Sequence, residues 1–299
     1  MGADVRGRDK KTPRDRARKK RKRDEHTFFR YGNYHRYYGY RANAEAREDP
    51  RLASLARLVM TNKRVLDVGC NDGSLTIAMA WEFAPAKVLG VDVDEALVRF
   101  AREKLSATRR HAAKLCEDGD DEDDSDRKSG DESVVSAEAR AKALSGVEFV
   151  CANATERGFG SATYDVALML SVTKWMHLNW GDAGLKRAFK FAYDSLVPNG
   201  VLFVEPQPWR SYKQAFRKAK GGAPEEWKLN YGAIELKPDM FEAYLTSPEI
   251  GFRSIERVFP DSAAREASDD DDDAGATDGA SAKRPSRGGF DREIFRCIK

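Results

Sequence analysis

The sequence predicts an α/β fold built on a doubly wound, mostly parallel sheet of seven strands. Short, almost continuously apolar segments alternate with amphipathic ones, which is typical of parallel strands buried on both faces. A glycine-rich turn over residues 69–73 joins the first apolar segment to a helical one, and the second apolar segment ends in acidic residues. These observations indicate one sheet with helices on both sides and a ligand-binding turn at its edge.

The first half of the domain alternates helix and strand from residue 52 onwards. Leucines that recur every three or four residues indicate helices, while short β-branched runs indicate strands. Pro85 marks the end of one helix, because proline cannot continue the helical hydrogen bonding. In order, the predicted elements are a helix over 52–59, a strand over 64–68, a helix over 75–83, a strand over 87–93 and a helix over 97–105.

The second half continues the alternation and ends in two strands. The turn Pro198-Asn199-Gly200 ends a helix, and the last two strands are expected to pair antiparallel across an acidic loop. In order, the predicted elements are strands over 147–151 and 164–172, a helix over 185–196, a strand over 201–204, helices near 211–219 and over 238–245, and strands over 254–259 and 293–298.

Strong charge runs separate one folded domain from three polar segments. Residues 1–26 hold twelve Lys/Arg and five acids, 117–132 hold ten acids, and 261–279 hold eight. Segments this polar cannot bury enough apolar surface to fold. The predicted organisation is a disordered basic tail over 1–26 and a single domain over 27–299, with acidic disordered inserts at about 116–140 and 261–288.

These charge runs hide the charge of the folded part. The net charge of the chain is only +3, but without the three polar segments the remainder carries about +11. A domain this basic favours a polyanionic partner, with ordinary solubility charge as the alternative. The basic run over residues 19–23 indicates a nuclear import signal or a nucleic-acid tail, and the former predicts a nuclear protein.

The composition argues against several classes of protein. Four cysteines without a CxxC pair disfavour a disulfide scaffold or a zinc site and fit a reducing compartment inside the cell. The sequence has no run of about 18 apolar residues, so no membrane partner is expected. The basic N-terminus has no apolar segment, which argues against a secretory signal.

Residues 31–41 form the densest aromatic and basic run of the chain. Five of the ten tyrosines lie in these eleven residues, and their spacing fits neither a strand nor a helix. Tyrosine rings stack on bases, and the interspersed Arg36 and Arg41 can meet phosphates. The run is therefore either a ligand surface or an arm whose rings pack on the domain beside it.

The turn at 69–73 and the acid after the second strand favour a nucleotide-like cofactor. Glycine lets the backbone approach a ligand closely, and Asp92 is placed to accept both ribose hydroxyls. Asp67 ends the first strand, where a cationic amino-acid group would lie. This is the layout of S-adenosylmethionine methyltransferases, so the predicted cofactor is S-adenosyl-L-methionine. In the alternative interpretation, Asp67 and Asp72 cap the turn and helix, and Asp92 merely ends a strand.

Three longer motifs accompany this layout. They are the tyrosine run over 31–41, the segment 170–182 after the fourth strand, and Glu205-Pro206-Gln207-Pro208-Trp209 after the fifth. Together they resemble the bicoid-interacting-protein-three family, over about residues 28–258 without the inserts. The resemblance implies a Rossmann-like, S-adenosylmethionine-dependent methyltransferase fold. It also implies transfer of methyl to the γ-phosphate at the 5′ end of a small nuclear RNA.

The resemblance further implies site residues. Tyr37, Arg41, Lys174 and His177 are similar to residues that face the RNA triphosphate. The alternative for Lys174 is a solvated surface residue, and the alternative for His177 is a buried structural histidine. The residues similar to the family's cofactor contacts are Tyr38, Arg51, Gly69, Cys70, Asn71, Asp92, Val93, Asn153, Ala154 and Leu170.

Within this site the tyrosine run is expected to act as a lid. Tyr38 would face the cofactor, and Tyr37 and Arg41 would face the phosphates. Tyr31 and Tyr34 would instead pack on the domain. The tryptophans expected to form wall and core, rather than base-stacking platforms, are Trp175, Trp180 and Trp209.

The acceptor and the activity have alternatives. A related branch of the family methylates a 5′ monophosphate on transfer or precursor microRNA, and a noncatalytic RNA-binding subunit would use the same groove. The predicted partners are an RNA with a 5′ triphosphate end and ribonucleoprotein proteins, and the protein is expected to be monomeric. Because a phosphate oxygen is already deprotonated at neutral pH, the transfer requires neither a strong general base nor a metal.

Overall fold

The computed structural model describes residues 30–32, 49, 51–52, 55, 60–117, 135–219, 222–258 and 292–299. The basic tail lies outside the described residues, as do most of both acidic inserts, so the predicted disorder stays a prediction. Tyr34, Tyr37, Tyr38 and Arg41 lie outside as well. The lid interpretation of the tyrosine run therefore also stays a prediction.

Seven strands form one mixed sheet. They are β1 (Arg64–Val68), β2 (Lys87–Asp92), β3 (Val147–Cys151), β4 (Tyr164–Leu170), β5 (Leu196–Glu205), β6 (Ser254–Val258) and β7 (Ile294–Ile298). Their order is β3-β2-β1-β4-β5-β7-β6, and the neighbours from β3 to β5 are parallel. β7 lies between β5 and β6 and is antiparallel to both. The predicted fold class and the final antiparallel pair are thus confirmed.

Seven α-helices have both ends within the described residues. They are α1 (Ser74–Phe83), α2 (Glu95–Glu117), α3 (Ala137–Ser145), α4 (Thr173–Ser195), α5 (Arg210–Lys218), α6 (Glu225–Ala233) and α7 (Phe241–Thr246). A single 3₁₀ turn, Pro238–Met240, precedes α7. Among the described residues, no helix combines the length and the apolar character needed to cross a bilayer.

The two faces of the sheet carry separate hydrophobic cores. Successive residues of a strand point to opposite faces, so Val65 packs with α1, α2 and α3, whereas Leu66 packs with α4 and α7. A third, smaller cluster joins α4, α5 and α6 around Trp175, Tyr212 and Trp227. This third cluster lies beside the carboxyl edge of the sheet.

Side-chain caps explain where two of the helices begin. The Asp94 carboxylate accepts hydrogen bonds from the backbone amides of Ala96 (2.8 Å) and Leu97 (3.2 Å) at the start of α2. The Ser136 hydroxyl accepts one from Ala139 (3.2 Å) in the first turn of α3. Such caps satisfy amides that have no partner within the helix.

Several elements differ from the predicted ones. The turn predicted over 198–200 is wrong, because the helix ends at Ser195 and β5 already begins at Leu196. The first acidic insert is shorter at both ends, because α2 runs to Glu117 and α3 begins at Ala137. The helix predicted from residue 185 is the second half of α4, which begins at Thr173 and only kinks at Gly181 (φ 61°, ψ −169°). Helices α3 and α6 were not predicted. Only Ala143 and Leu144 are buried in α3 and only Trp227 in α6, so no apolar period marks either helix.

Candidate active site

A cleft opens at the carboxyl ends of β1, β2 and β4, where open α/β sheets bind their ligands. It consists of two adjoining hollows with about 380 Å³ and about 530 Å³ of empty space. Both hollows are lined by Tyr31, Gly69, Asp92, Val172 and Trp175, so they form one continuous site.

Nine of the ten residues predicted to contact a cofactor line this cleft. The tenth, Tyr38, lies outside the described residues. Val93, Asn153 and Ala154 line the first, smaller hollow. The residues that line the second, larger hollow are Arg51, Cys70, Asn71 and Leu170, while Gly69 and Asp92 line both.

The glycine turn brings backbone, rather than side chains, to the floor of the cleft. Gly69 has φ +83°, and a Cβ atom there would lie only 2.7 Å from the Val172 side chain. Any other residue would therefore be both strained and crowded. The amides of Gly69 and Cys70 donate to the Val91 carbonyl oxygen at 2.7 Å and 3.0 Å, which fixes the turn against β2.

Asp92 is held with its carboxylate facing the turn. Its Oδ2 accepts a hydrogen bond from the Asn71 amide (2.9 Å), and its Oδ1 accepts one from the Asp94 amide (3.0 Å). Burial raises the pKa of Asp92 to about 6, although these two hydrogen bonds lower it. Each carboxylate oxygen keeps acceptor capacity for a ligand hydroxyl. The alternative that Asp92 merely ends a strand is disfavoured by its place in both hollows.

Asp67 and Asp72 have different environments. Asp67 is buried in the wall of the second hollow, and its Oδ2 accepts a hydrogen bond from the Thr76 hydroxyl (2.6 Å). Burial raises the pKa of Asp67 to about 6. Asp72 accepts from the Ser74 amide (3.2 Å) and hydroxyl (2.8 Å), at the first residue of α1. The capping interpretation is therefore correct for Asp72, while Asp67 faces the cleft.

A buried ionic cluster forms the far wall of the second hollow. Arg51 is bound to Asp49 at 2.6 Å and to Glu205 at 3.2 Å, and the three side chains are at most 2% exposed. Glu205 also accepts from Arg292, which precedes β7, at 2.7 Å. The charges of these four residues cancel. The cluster therefore orders the wall without adding net charge to it.

Ser171 connects this cluster to the cleft. It has φ +58°, a left-handed conformation that is rare for serine and that clusters at functional sites. Its hydroxyl donates to Glu205 (2.7 Å) and accepts from Arg292 (2.5 Å). Gln207 donates to the Ser171 carbonyl oxygen and accepts from the Lys174 amide (3.0 Å), so it caps the first turn of α4.

Tyr31 packs on the domain as predicted, and it also lines the cleft, which was not predicted. Its ring stacks on Trp180 with centroids 5.7 Å apart and an interplanar angle of 8°, and both rings line the first hollow. The preceding Arg30 is anchored to Asn179, whose side chain accepts from Arg30 Nε (3.0 Å) and donates to its carbonyl oxygen (2.9 Å). The segment 30–32 is thus fixed to α4 as a rim of the cleft.

The tryptophans behave as predicted. Trp175 and Trp180 are walls of the cleft, and Trp209 packs on Tyr212 and Tyr231 in the third cluster. Lys174, next to Trp175, is 8% exposed, and its Nζ lies 4.4 Å from the centre of the Trp175 ring. Lys174 is therefore not the solvated surface residue of the alternative interpretation. Its cation packs on Trp175, a wall of the cleft, but Lys174 is not among the residues that line either hollow.

His177 is a correction to the predicted site. It is fully buried, and both ring nitrogens are bound: Nε2 to Asp182 (2.8 Å) and Nδ1 to the Tyr212 hydroxyl (3.0 Å). A carboxylate only accepts, so Nε2 carries the proton and the tyrosine donates to Nδ1. Burial lowers the pKa of His177, although Asp182 opposes this. Burial favours the neutral ring, and His177 lines neither hollow, so the structure favours the alternative of a buried structural histidine over a contact to phosphate.

The residues of the site to which the sequence assigned no role are Asp49, Ser171, Gln207 and Arg292. Gln207 lies within the Glu-Pro-Gln-Pro-Trp motif, so the motif was a signal for it. Arg292 had no such signal. Among the described residues, no three His, Cys, Asp or Glu side chains are grouped closely enough to hold a metal ion.

Comparison with known proteins identifies the family of the chain. The family model for bicoid-interacting protein 3 matches residues 164–270. A probable RNA methyltransferase of Arabidopsis thaliana is 37% identical over 79% of this chain and 76% of its own length. The U6 snRNA methylphosphate capping enzyme Amus of Drosophila melanogaster is 34% identical over 76% of this chain and 68% of its own length. The chain belongs to the bicoid-interacting protein 3 family.

Three further comparisons concern this bicoid-interacting protein 3 family member. A methyltransferase-domain model matches residues 66–202. The 7SK snRNA methylphosphate capping enzyme of Mus musculus is 37% identical over 77% of this chain, which spans 38% of that enzyme's length. The N-methyltransferase NodS of Bradyrhizobium japonicum is 12% identical, with a TM-score of 0.45 over 86% of this chain and 98% of that one. The sheet order β3-β2-β1-β4-β5-β7-β6 alone establishes the fold class.

Proposed function

We propose that the chain is an S-adenosylmethionine-dependent methyltransferase that methylates the γ-phosphate at the 5′ end of an RNA of the small nuclear type. One observation carries the proposal. The glycine turn, Asp67 and Asp92 meet in one cleft of a chain that is 34% identical to a U6 snRNA capping enzyme over 68% of that enzyme's length.

The residues of the cleft fit this cofactor. Asp92 would accept the ribose hydroxyls, and the backbone at Gly69 leaves room for close approach. Asp67 would pair with the ammonium group of the methionine part, which offsets the cost of its burial. Asn153 and Ala154 would line the adenine, on the side where Tyr31 stacks on Trp180. When bound, the cofactor supplies a methyl group on a sulfonium.

The chain's own residues would act by orientation and charge. The accepting phosphate oxygen is already ionised, so no residue has to remove a proton. Lys174 and Arg41 would hold the triphosphate, and Tyr37 would donate a hydrogen bond to it. Burial raises the pKa of the Cys70 thiol well above its ordinary value, so this cysteine stays neutral and is not a nucleophile.

A second acceptor, a 5′ monophosphate, is suggested by other relatives. An RNA 5′-monophosphate methyltransferase of Rattus norvegicus is 32% identical, but over only 52% of this chain. The longer match to the capping enzymes favours the triphosphate. We further propose a nuclear, monomeric protein that meets ribonucleoprotein proteins on its RNA.

The decisive experiment compares one RNA carrying either three or one 5′ phosphates. With methyl-labelled cofactor, the label should enter the triphosphate RNA and be released with the γ-phosphate. Preferential labelling of the monophosphate RNA would replace the proposal with its alternative. A protein that binds the cofactor but labels neither RNA would be a noncatalytic binding subunit.

Affinity for the cofactor should fall as the pH drops through about 6. Burial raises the pKa of both Asp67 and Asp92 to about 6. Each must be ionised to meet the cofactor, so each must release a proton on binding below that pH. The loss approaches about tenfold per pH unit for each carboxylate. Calorimetric titrations between about pH 8 and pH 5 measure it. Asp67→Asn should flatten the profile, and a constant affinity over this range would contradict the assignment.

Replacing His177 with phenylalanine should reduce stability while sparing the chemistry. The change leaves the buried Tyr212 hydroxyl without its partner at 3.0 Å, which costs about 1–3 kcal/mol of unfolding free energy. At a temperature where the variant is folded, kcat should change by less than about threefold. A folded His177→Phe protein that loses about a hundredfold in kcat would restore the predicted phosphate contact.

A further inference from the structure

Helix α5 carries a row of cations. Arg210, Lys213 and Arg217 recur every three or four residues and are exposed, so they form one stripe on the helix. The helix itself contains no acidic residue. Lys237 is also exposed and lies 5.9 Å from the ring centre of Trp209, which directly precedes Arg210. These four cations are called the basic stripe.

Within the part of the chain that the structure describes, no carboxylate forms an ion pair with the basic stripe. Cations on neighbouring elements are partnered: Lys228 lies 2.9 Å from Glu225, and Arg30 lies 4.0 Å from Glu226. Like charges three or four residues apart destabilise a helix. A polyanion lying along the stripe would remove this cost.

The opposite face of α5 packs in one cluster with Trp175, which is a wall of the cleft. Tyr212 is fully buried and binds His177 of α4 at 3.0 Å. Ala215 belongs to the same cluster as Trp175, which lines both hollows. Trp175 in turn packs on Trp227 of α6 with ring centres 5.7 Å apart. The stripe is therefore held in a fixed position relative to the cleft.

We propose that the basic stripe binds the phosphate backbone of the substrate RNA beyond its 5′ end. The inference rests on the proposed function, which places that 5′ end in the cleft. From Arg210 to Arg217 the helix rises about 10 Å, which matches two or three successive phosphates of one strand. Such contacts position the RNA and read no bases, so they add affinity for any sequence.

The test compares two triple variants on two RNAs. Arg210→Gln/Lys213→Gln/Arg217→Gln removes three cations of the stripe. The matched control, Lys63→Gln/Lys87→Gln/Arg253→Gln, removes three exposed cations at the opposite, amino-terminal edge of the strands. The RNAs are a triphosphate-ended dinucleotide and a longer RNA with the same 5′ sequence. Equilibrium binding is measured against salt concentration, and methyl transfer to the dinucleotide is measured in parallel.

The stripe variant should bind the longer RNA about tenfold or more weakly at 0.1 M salt, with a salt slope lower by about two. Binding and methylation of the dinucleotide, and all properties of the control, should be unchanged. The proposal would be overturned if the stripe variant kept the salt slope of the unaltered protein. It would also be overturned if the control variant lost as much affinity for the longer RNA as the stripe variant. Equal losses of affinity for the dinucleotide and for the longer RNA would overturn it as well. Restored binding in the charge-conserving Arg210→Lys/Lys213→Arg/Arg217→Lys excludes misfolding. If the unaltered protein methylates neither RNA, the proposed function fails, while the slopes still report on the stripe.

Discussion

Replacing Glu205 with alanine should lower the free energy of unfolding by about 3–5 kcal/mol, because it removes the shared partner of two guanidinium groups. Glu205 is fully buried and binds Arg51 at 3.2 Å and Arg292 at 2.7 Å. With Asp49, the four charges cancel. Without Glu205, the cluster keeps an excess positive charge in a buried place, which is costly. Denaturant unfolding followed by circular dichroism measures the loss.

Matched variants separate this effect from ordinary ion pairing. Glu256 binds Arg296 at 2.6 Å, but its side chain is 57% exposed, so Glu256→Ala should cost less than about 1 kcal/mol. Adding Arg292→Met to Glu205→Ala removes the excess charge and should recover part of the stability. A Glu205→Ala protein no less stable than Glu256→Ala would show that the cluster does not hold the wall together.

The framework of the site could be predicted because its signals are local. β1, the turn and β2 follow one another within residues 64–92, so an apolar strand, a glycine turn and Asp92 mark the same edge of the sheet. Parallel strands bring their carboxyl ends to one edge, and this places Asn153 and Leu170 beside the turn. The fold could therefore be predicted from the periodic apolar pattern, and the site residues from the resemblance to a family.

The remaining parts of the site depend on contacts between distant segments. Arg292 reaches Glu205, 87 residues earlier, only because β7 inserts between β5 and β6. The sequence contains no periodic pattern that predicts the insertion of β7 between β5 and β6. His177 is similarly buried by Tyr212, which lies 35 residues later on α5, so its role depended on how that helix packs. A titratable side chain in a motif is therefore easily predicted to bind a ligand when the sequence does not show which residue of the protein it contacts instead.

Replacing Lys174 with alanine should lower kcat by about 10²–10³-fold and leave cofactor affinity within about twofold. Lys174 lies in the first turn of α4, whose start is capped by Gln207 and stands at the end of β4. Its Nζ lies 4.4 Å from the ring centre of Trp175, a wall of both hollows. A cation there would stabilise the phosphate charge during transfer. Single-turnover methyl transfer and calorimetry measure the two effects separately.

The matched control is another lysine of the same helix. Lys186 also lies over an aromatic ring, with its Nζ 5.2 Å from the ring centre of Tyr244, but it belongs to the half of α4 beyond the Gly181 kink. Lys186→Ala should therefore leave kcat unchanged, while Asp92→Ala should lose cofactor affinity first. Lys174→Met keeps the aliphatic stem against Trp175 and separates packing from charge. If Lys174→Met retains full turnover, the phosphate does not meet this lysine. The cation of the site must then come from the tyrosine run, where Arg41 is the residue to change next.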